Sequence, residues 1–265
     1  MLADFHAHSQ YSFDSDSSIE SYLDADNRLL VTTEHLELHN SAHNNMDDIP
    51  DFVQINRNMA AIEEESRQSL TTVVGAEVGY SREHFQQLED ILASQPIALR
   101  LLSFHAYRDH DYIETEAHRD LSDSDYAYAY FDMVLEGVEK LGSQVQVLAH
   151  LDYPLRYRES LASDALFDQY QPQIEAILLA CARQGIVIEM NTKSMVKYGR
   201  ECLYNRLAEL VAHLNSPEHP LEVCLGSDCH RAQDWHAHFE QALAMVNAHG
   251  LKPISVEGML ERRMV

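Results

Sequence analysis

Short β-rich runs recur along this chain, separated by longer stretches of helical periodicity, and that alternation restricts the fold more than any other feature. The runs are Leu2 to Phe5, Leu29 to Thr33, Thr72 to Glu77, Ala98 to Phe104, Gln144 to Leu148, Ile186 to Met190 and Glu222 to Leu225. Between them, Phe52 to Arg67 repeats Phe52, Ile55, Met59 and Ile62 at steps of three and four, the spacing of one helix face. Ser124 to Leu141, Leu166 to Arg183, Tyr204 to Leu214 and Trp235 to Ala248 read the same way. A βαβα order feeds parallel strands into one sheet covered by helices. Seven such units predict an α/β fold built as a TIM-like barrel, although a doubly wound open sheet gives a similar string. With 9 Gly and 7 Pro in 265 residues and no low-complexity tract, nothing marks an internal boundary, so residues 1–265 are expected to form one domain.

Possible metal ligands sit where these runs end. His6 and His8 follow the first, His35 the second, Glu77 closes the third, His105 follows the fourth, His150 the fifth, and Asp228 with His230 the seventh. In a parallel barrel those ends open on one face, so residues from opposite ends of the chain become neighbours. His6 and His8 are two apart on a strand and therefore face the same side, as do Asp228 and His230. Glu77 lies inside an otherwise apolar run, where an unpaired buried charge is costly and a cation would supply its partner. Asp4 and Asp152 are expected to orient ligand histidines, and Glu189 with Asn191 to do likewise at the sixth strand. Glu37 reads as peripheral. The remaining histidines, among them His43, His84, His118, His236 and His238, lie in loops or helices and read as ordinary surface residues. The long polar loops His39 to Asp51, Tyr107 to Asp123 and Tyr153 to Ser163 each follow a strand, on the rim where sites are built.

Charge narrows the partners. Against 43 acidic residues stand 19 basic ones, a formal charge of −24, and such a surface repels a nucleic-acid backbone. There is neither an apolar run long enough to span a membrane nor the pattern of a signal peptide, so a cytoplasmic protein is expected. Cys181, Cys202, Cys224 and Cys229 lack CxxC spacing and read as free thiols.

Taken in order, Asp4-Phe5-His6-Ala7-His8-Ser9, Thr33-Glu34-His35, the isolated Glu77, Ser103-Phe104-His105, His150-Leu151-Asp152 and Gly226-Ser227-Asp228-Cys229-His230 resemble the successive motifs of the polymerase and histidinol phosphatase (PHP) superfamily. The likeness extends from residue 3 to about 234, and it is close to the stand-alone histidinol-phosphate phosphatases. It implies a distorted seven-stranded (β/α) barrel holding two or three divalent ions, zinc, manganese or iron. His6, His8, Glu77 and Asp228 would hold the first, Glu77 bridging to a second with His105 and His150, and His35 and His230 would hold the third. Many relatives place a histidine eight positions beyond the first of the His-x-His pair; here that position is Asp14, a competent hard ligand, with Asp16 the alternative.

Imidazole and carboxylate ligands without cysteine suit an open hydrolytic site. The expected reaction is hydrolysis of a small phosphomonoester, L-histidinol phosphate first, by a metal-bridging hydroxide, with Asp228, His230 or a metal-bound water protonating the leaving alcohol. Another small phosphate ester or nucleotide is the alternative substrate. Arg156, Lys193, Lys197 and Arg200 are the cations placed to hold phosphate; the resemblance implies an arginine soon after the sixth strand, where this chain has Lys193 to Lys197. Asp109, Asp111, Glu114 and Glu116 form an acidic loop suited to a cationic leaving group. A nuclease of the same superfamily is disfavoured by the charge, and a metal-binding module without turnover by the open rim.

Overall fold

Side chains alternate across a strand, and that alternation builds both the core and the site of this molecule. The computed structural model describes residues 3–23, 28–66, 70–161 and 164–261; Leu2, Arg67 and Ser163, which bound segments named above, lie outside them. The strands are β1 (Leu29–Asn40), β2 (Met46–Asp48), β3 (Thr71–Gly79), β4 (Leu99–Ser103), β5 (Ala106–Tyr107), β6 (His110–Asp111), β7 (Val147–Leu148), β8 (Val187–Asn191) and β9 (Val223–Gly226). The helices are α1 (Phe52–Glu65), α2 (Phe85–Ser94), α3 (Asp123–Leu141), α4 (Asp164–Gln184), α5 (Thr192–Lys197), α6 (Glu201–Leu214), α7 (Phe239–Ala248) and α8 (Val256–Glu261). One sheet runs in the order β2-β1-β3-β4-β7-β8-β9, parallel except for the short antiparallel β2 at its edge, while β5 and β6 form a separate hairpin.

The outer face carries Leu30, Val74, Val78, Leu102, Ile188 and Leu225, which pack with Val134 and Val138 of α3, Ile177 of α4 and Val211 of α6 in the main apolar cluster. The inner face changes character along its length. Leu29, Val31, Val73, Leu99, Leu101, Val147, Val187 and Cys224 make an apolar floor, closed from below by Val256 and Met259 of α8. Continuing in steps of two, the same faces carry His35 and Glu37, Glu77 and Gly79, Glu189 and Asn191, then Gly226 and Asp228. Each fully buried aliphatic side chain of the floor contributes about 1.5–3 kcal/mol, and this apolar base holds the polar layer above it in register.

In place of a strand over Leu2 to Phe5, the described residues show an extended segment with one isolated bridge, Ala7 to Cys229. Its backbone bonds go both ways. Phe5 N–H donates to Leu225 O (3.0 Å) and His8 N–H to Cys229 O (2.9 Å) on one side, while Thr33 N–H donates to Ala7 O (2.8 Å) on the other. Regular pairing stops because Asp228, at φ 51°, leaves the extended region just where a ladder would continue. The other six expected strands are present within a few residues of their expected ends, β1 running on through His35 and Glu37 to Asn40.

Candidate metal centre

Parallel register sets the centre of the site. His35 of β1 lies directly beside Glu77 of β3, and both point to the inner face. Glu77 is fully buried and five imidazoles surround its carboxylate. Its Oε2 lies 3.1 Å from His6 Nε2, 3.3 Å from His8 Nε2 and 3.2 Å from His35 Nδ1. Its Oε1 lies 2.7 Å from His150 Nε2 and 3.0 Å from His105 Nε2. Asp228 Oδ1 stands 3.9 Å from His8 Nε2, and Asp14 Oδ2 reaches His230 Nε2 at 2.9 Å and His35 Nε2 at 3.5 Å. All nine residues singled out as ligands from sequence therefore meet at one end of the sheet. Asp14, not the exposed Asp16, makes the contact with His35 and His230.

The charges respond to one another. Burial pushes Glu77 up, but the positive charge of His6, His105 and His35 prevails and holds its carboxyl well below the usual range. Conversely, burial lowers His35, and Glu77 with Asp14 and Glu37 outweighs it and pushes the imidazole up to about 10. Glu77 and Glu189 likewise raise His6, and Glu77 and Glu37 raise His105. His8 is driven down by burial and by the charge of His230 and His35, and His150 by burial.

A cation fits this donor set. His6 Nε2, His8 Nε2, His35 Nδ1 and Glu77 Oε2 are buried without a hydrogen-bond partner, a costly state that a divalent ion would relieve. Overlapping groups whose ligand atoms lie within 4.8 Å of one another are His6–His8–Asp228, His6–Glu77–His150, His8–His35–His230 and His35–Glu37–His105. Every one is imidazole or carboxylate, the chemistry of hydrolytic zinc, manganese and iron sites.

Around this cluster lies a second layer of buried acids. Glu189 Oε1 accepts from His6 Nδ1 at 2.8 Å, and its Oε2 accepts from the backbone N–H of His150 at 2.6 Å. Gly226 makes room for it: a Cβ there would stand 2.0 Å from Glu189 Oε1. His8 Nδ1 meets Ser12 Oγ at 3.1 Å, and that hydroxyl donates to Glu34 at 2.7 Å. A carboxylate only accepts, so each such contact puts a proton on Nδ1 and turns Nε2 inward. Asn191 bridges Glu189 and Asp228 at 3.3 and 3.5 Å. Asp4 and Asp152 do not orient ligand rings as expected. Asp4 accepts from the backbone of His6, Ser227 and His236, and Asp152 from Ser194, Tyr204 and Arg156. Nor is Glu37 peripheral: it is buried, and its Oε1 lies 2.6 Å from His105 Nδ1. It shares the inner face with His35, a signal that alternation alone would have given.

Over the cluster opens a cavity of about 260 Å³, lined among others by Asp14, His230, Arg156, Lys193, Tyr153 and Phe13. Arg156 is buried, its guanidinium over the rings of Tyr153 and Tyr198 and 3.6 Å from Asp228 Oδ2. Lys193 Nζ donates to Asp228 Oδ1 at 2.9 Å. Burial raises Asp228, and the charges of Lys193, His6, His230 and Arg156 reverse this and hold it well below the carboxylate range. Lys197 is exposed and lines a neighbouring groove of about 540 Å³ with Lys193, Asp228 and His230. Arg200 is outside both lining sets: it donates to Leu155 O at 2.6 Å and so fixes the loop carrying Arg156. Of the acidic loop, Asp111 lines the cavity beside Ile113 and accepts from Tyr153 OH at 3.3 Å, while Asp109 and Glu116 are exposed.

The chain is similar to known proteins in sequence and in fold. A probable histidinol-phosphatase of Clostridium acetobutylicum is 26% identical over 269 residues, spanning 98% of each chain. One from Thermotoga maritima is 26% identical over 151 residues, 56% of this chain and 60% of that one. In three dimensions the chain is similar to histidinol phosphate phosphatase from Lactococcus lactis, solved with zinc, L-histidinol and phosphate, at a TM-score of 0.81 and 20% identity over 95% of this chain and 94% of that one. The family model of the PHP domain matches residues 4–193. This chain belongs to the PHP domain family.

Proposed function

We propose that this protein is a metal-dependent phosphoric monoester hydrolase that converts L-histidinol phosphate to L-histidinol and phosphate, a step of histidine biosynthesis. The observation that carries the reading is the convergence of nine imidazole and carboxylate ligands beneath one cavity that two cations, Arg156 and Lys193, also line. Likeness over its full length to a probable histidinol-phosphatase supports the choice of substrate. His6, His8, Glu77 and Asp228 would hold one divalent ion, Glu77, His105 and His150 a second, and Asp14, His35 and His230 a third. Bound there, zinc, manganese or iron supplies Lewis acidity and a source of hydroxide near neutral pH.

The chain's own residues supply the rest. Arg156, fixed by Asp152 and by the aromatic rings beside it, presents a planar donor to the phosphate oxygens. Lys193 adds a point charge from the first turn of α5, and Lys197 extends that charge into the adjoining groove. Asp228 is held ionised and so serves as a ligand, and with His230 holding the third ion a water in the cavity is left to protonate the departing alcohol. Asp111 offers a carboxylate to the cationic end of histidinol, with Phe13 and Ile113 as apolar wall.

The same reading takes the sheet as a distorted seven-stranded (β/α) barrel closed by residues 4–9, supported by the hydrogen bonds of that segment to both β1 and β9. It takes residues 1–265 as one domain of the cytoplasm without a nucleic-acid partner, which the charge of −24 and the four free cysteines support. Among the described residues no helix is long and apolar enough to cross a membrane. Steady-state kinetics on a panel of phosphomonoesters test the proposal: kcat/KM is expected to be highest for L-histidinol phosphate, and a flat profile, or a preference for a nucleotide, would contradict it.

A further inference from the structure

Glu37 is a buried carboxylate that none of the three ion-holding sets uses. It stands on β1 two residues beyond His35, on the same inner face, and its Oε1 lies 2.6 Å from His105 Nδ1 and 3.8 Å from His35 Nδ1. On the neighbouring strand β3, Gly79 occupies the corresponding place two residues beyond Glu77. A Cβ at Gly79 would stand 1.8 Å from Glu37 Oε2 and 2.3 Å from its Cδ, so the carboxylate fits only because this position has no side chain. Glu189 sits against Gly226 in the same manner and accepts from Nδ1 of His6. Two inner-face glycines thus open recesses for two carboxylates, and each carboxylate takes the outward nitrogen of an imidazole whose inward nitrogen faces Glu77.

We propose that Glu37 is the positioning residue of the second ion site: it accepts from Nδ1 of His105, keeps Nε2 turned toward Glu77 and His150, and depends on the recess left by Gly79. The proposal rests on the metal-holding role inferred above. Its rival is direct ligation by Glu37, since its oxygen also lies within 4.8 Å of nitrogens of His35 and His105. Glutamine separates the two. Its side-chain oxygen still accepts from an imidazole N–H but binds a cation far less well than a carboxylate does.

The test uses the full chain, stripped by chelation and reloaded with zinc. Competition against a chromophoric chelator is expected to show one zinc bound about 10–100-fold more weakly in Glu37→Ala. Glu37→Gln should stay close to wild type. Gly79→Ala should weaken the same zinc, and the double variant Gly79→Ala, Glu37→Ala should be no worse than Glu37→Ala alone. Long-range ¹H–¹⁵N correlation on zinc-loaded wild type, which requires no variant to fold, is expected to show the His105 proton on Nδ1. Undiminished zinc binding in Glu37→Ala, equal losses in Glu37→Ala and Glu37→Gln, or a proton on Nε2 of His105 would each overturn the proposal. Wild-type protein that takes up no zinc would instead count against the metal-dependent function itself.

Discussion

The side chain on which the site turns is Glu77, whose two oxygens contact five imidazoles from four separate segments. Glu77→Gln removes the charge those imidazoles share, and hydrolysis of L-histidinol phosphate is expected to fall by at least about 100-fold, more than loss of an orienting residue costs. Glu240→Gln, exposed on α7, is the control expected to match wild type in the same assay. Arg156→Lys retains the charge but loses the planar fork, so kcat/KM should drop about 10–100-fold, mostly through KM, as loss of a charge-assisted hydrogen bond would give; unchanged KM would remove Arg156 from phosphate binding. Much of this layer was legible in the sequence. His6 and His8 stand out because residues two apart share one side of an extended segment, whereas Asp228 and His230 lie beyond β9 and reach the site through the left-handed turn at Asp228. Glu37 obeys that rule beside His35 but escapes a reading confined to strand ends. Glu34 escapes for another reason: it works through Ser12, and a hydroxyl between a carboxylate and an imidazole leaves no spacing signature.

Elements matter here as carriers of strand ends to one place. The long helices α1, α3, α4 and α6 follow the expected periodicity because each must bury one apolar stripe on the sheet. Three shorter ones, α2, α5 and α8, are absent from the sequence expectation: α5 and α8 span six residues each, whereas α2 does carry the helical stripe, with Leu88 and Leu92 buried and Phe85 and Ile91 beside them. Of these α5 bears on function, since Asn191 caps it, accepting from Ser194 N–H at 2.8 Å, while Lys193 in its first turn meets Asp228. Helix α7 starts at Phe239, later than the expected Trp235, because His236 and His238 adopt left-handed backbone that a helix cannot include. An element can also be weakened without disturbing the site. Asp51 caps α1 by accepting from Gln54 N–H at 2.9 Å, and Asp51→Ala should lower stability to urea by about 1 kcal/mol with kcat unchanged. A matching loss of kcat would show that α1 couples to the site.

For the whole molecule, metal binding and protonation are linked. Without ions, His6, His35 and His105 are raised above the usual imidazole value, His35 to about 10, chiefly by Glu77 acting against burial. They therefore carry protons at pH 7, and those protons must leave before a cation takes the same nitrogens. Zinc uptake should release protons, seen as calorimetric heats that follow the ionisation enthalpy of the buffer, and apparent affinity should rise with pH between about 6.5 and 10. Buffer-independent heats would show the imidazoles already neutral. The mixed α/β class and the meeting of the nine residues at one end of the sheet were legible because the alternation of strands with helices and the ends of strands are local features of the sequence. How the N-terminal segment joins both β1 and β9 was not, since that depends on the left-handed turn at Asp228. The most direct test is to strip the purified protein with a chelator and add zinc or manganese stepwise while following phosphate release from L-histidinol phosphate. Activity is expected to vanish on stripping and return in full as about two or three ions bind per chain. Undiminished turnover by the stripped protein, or full metal uptake with no phosphate released, would contradict the account.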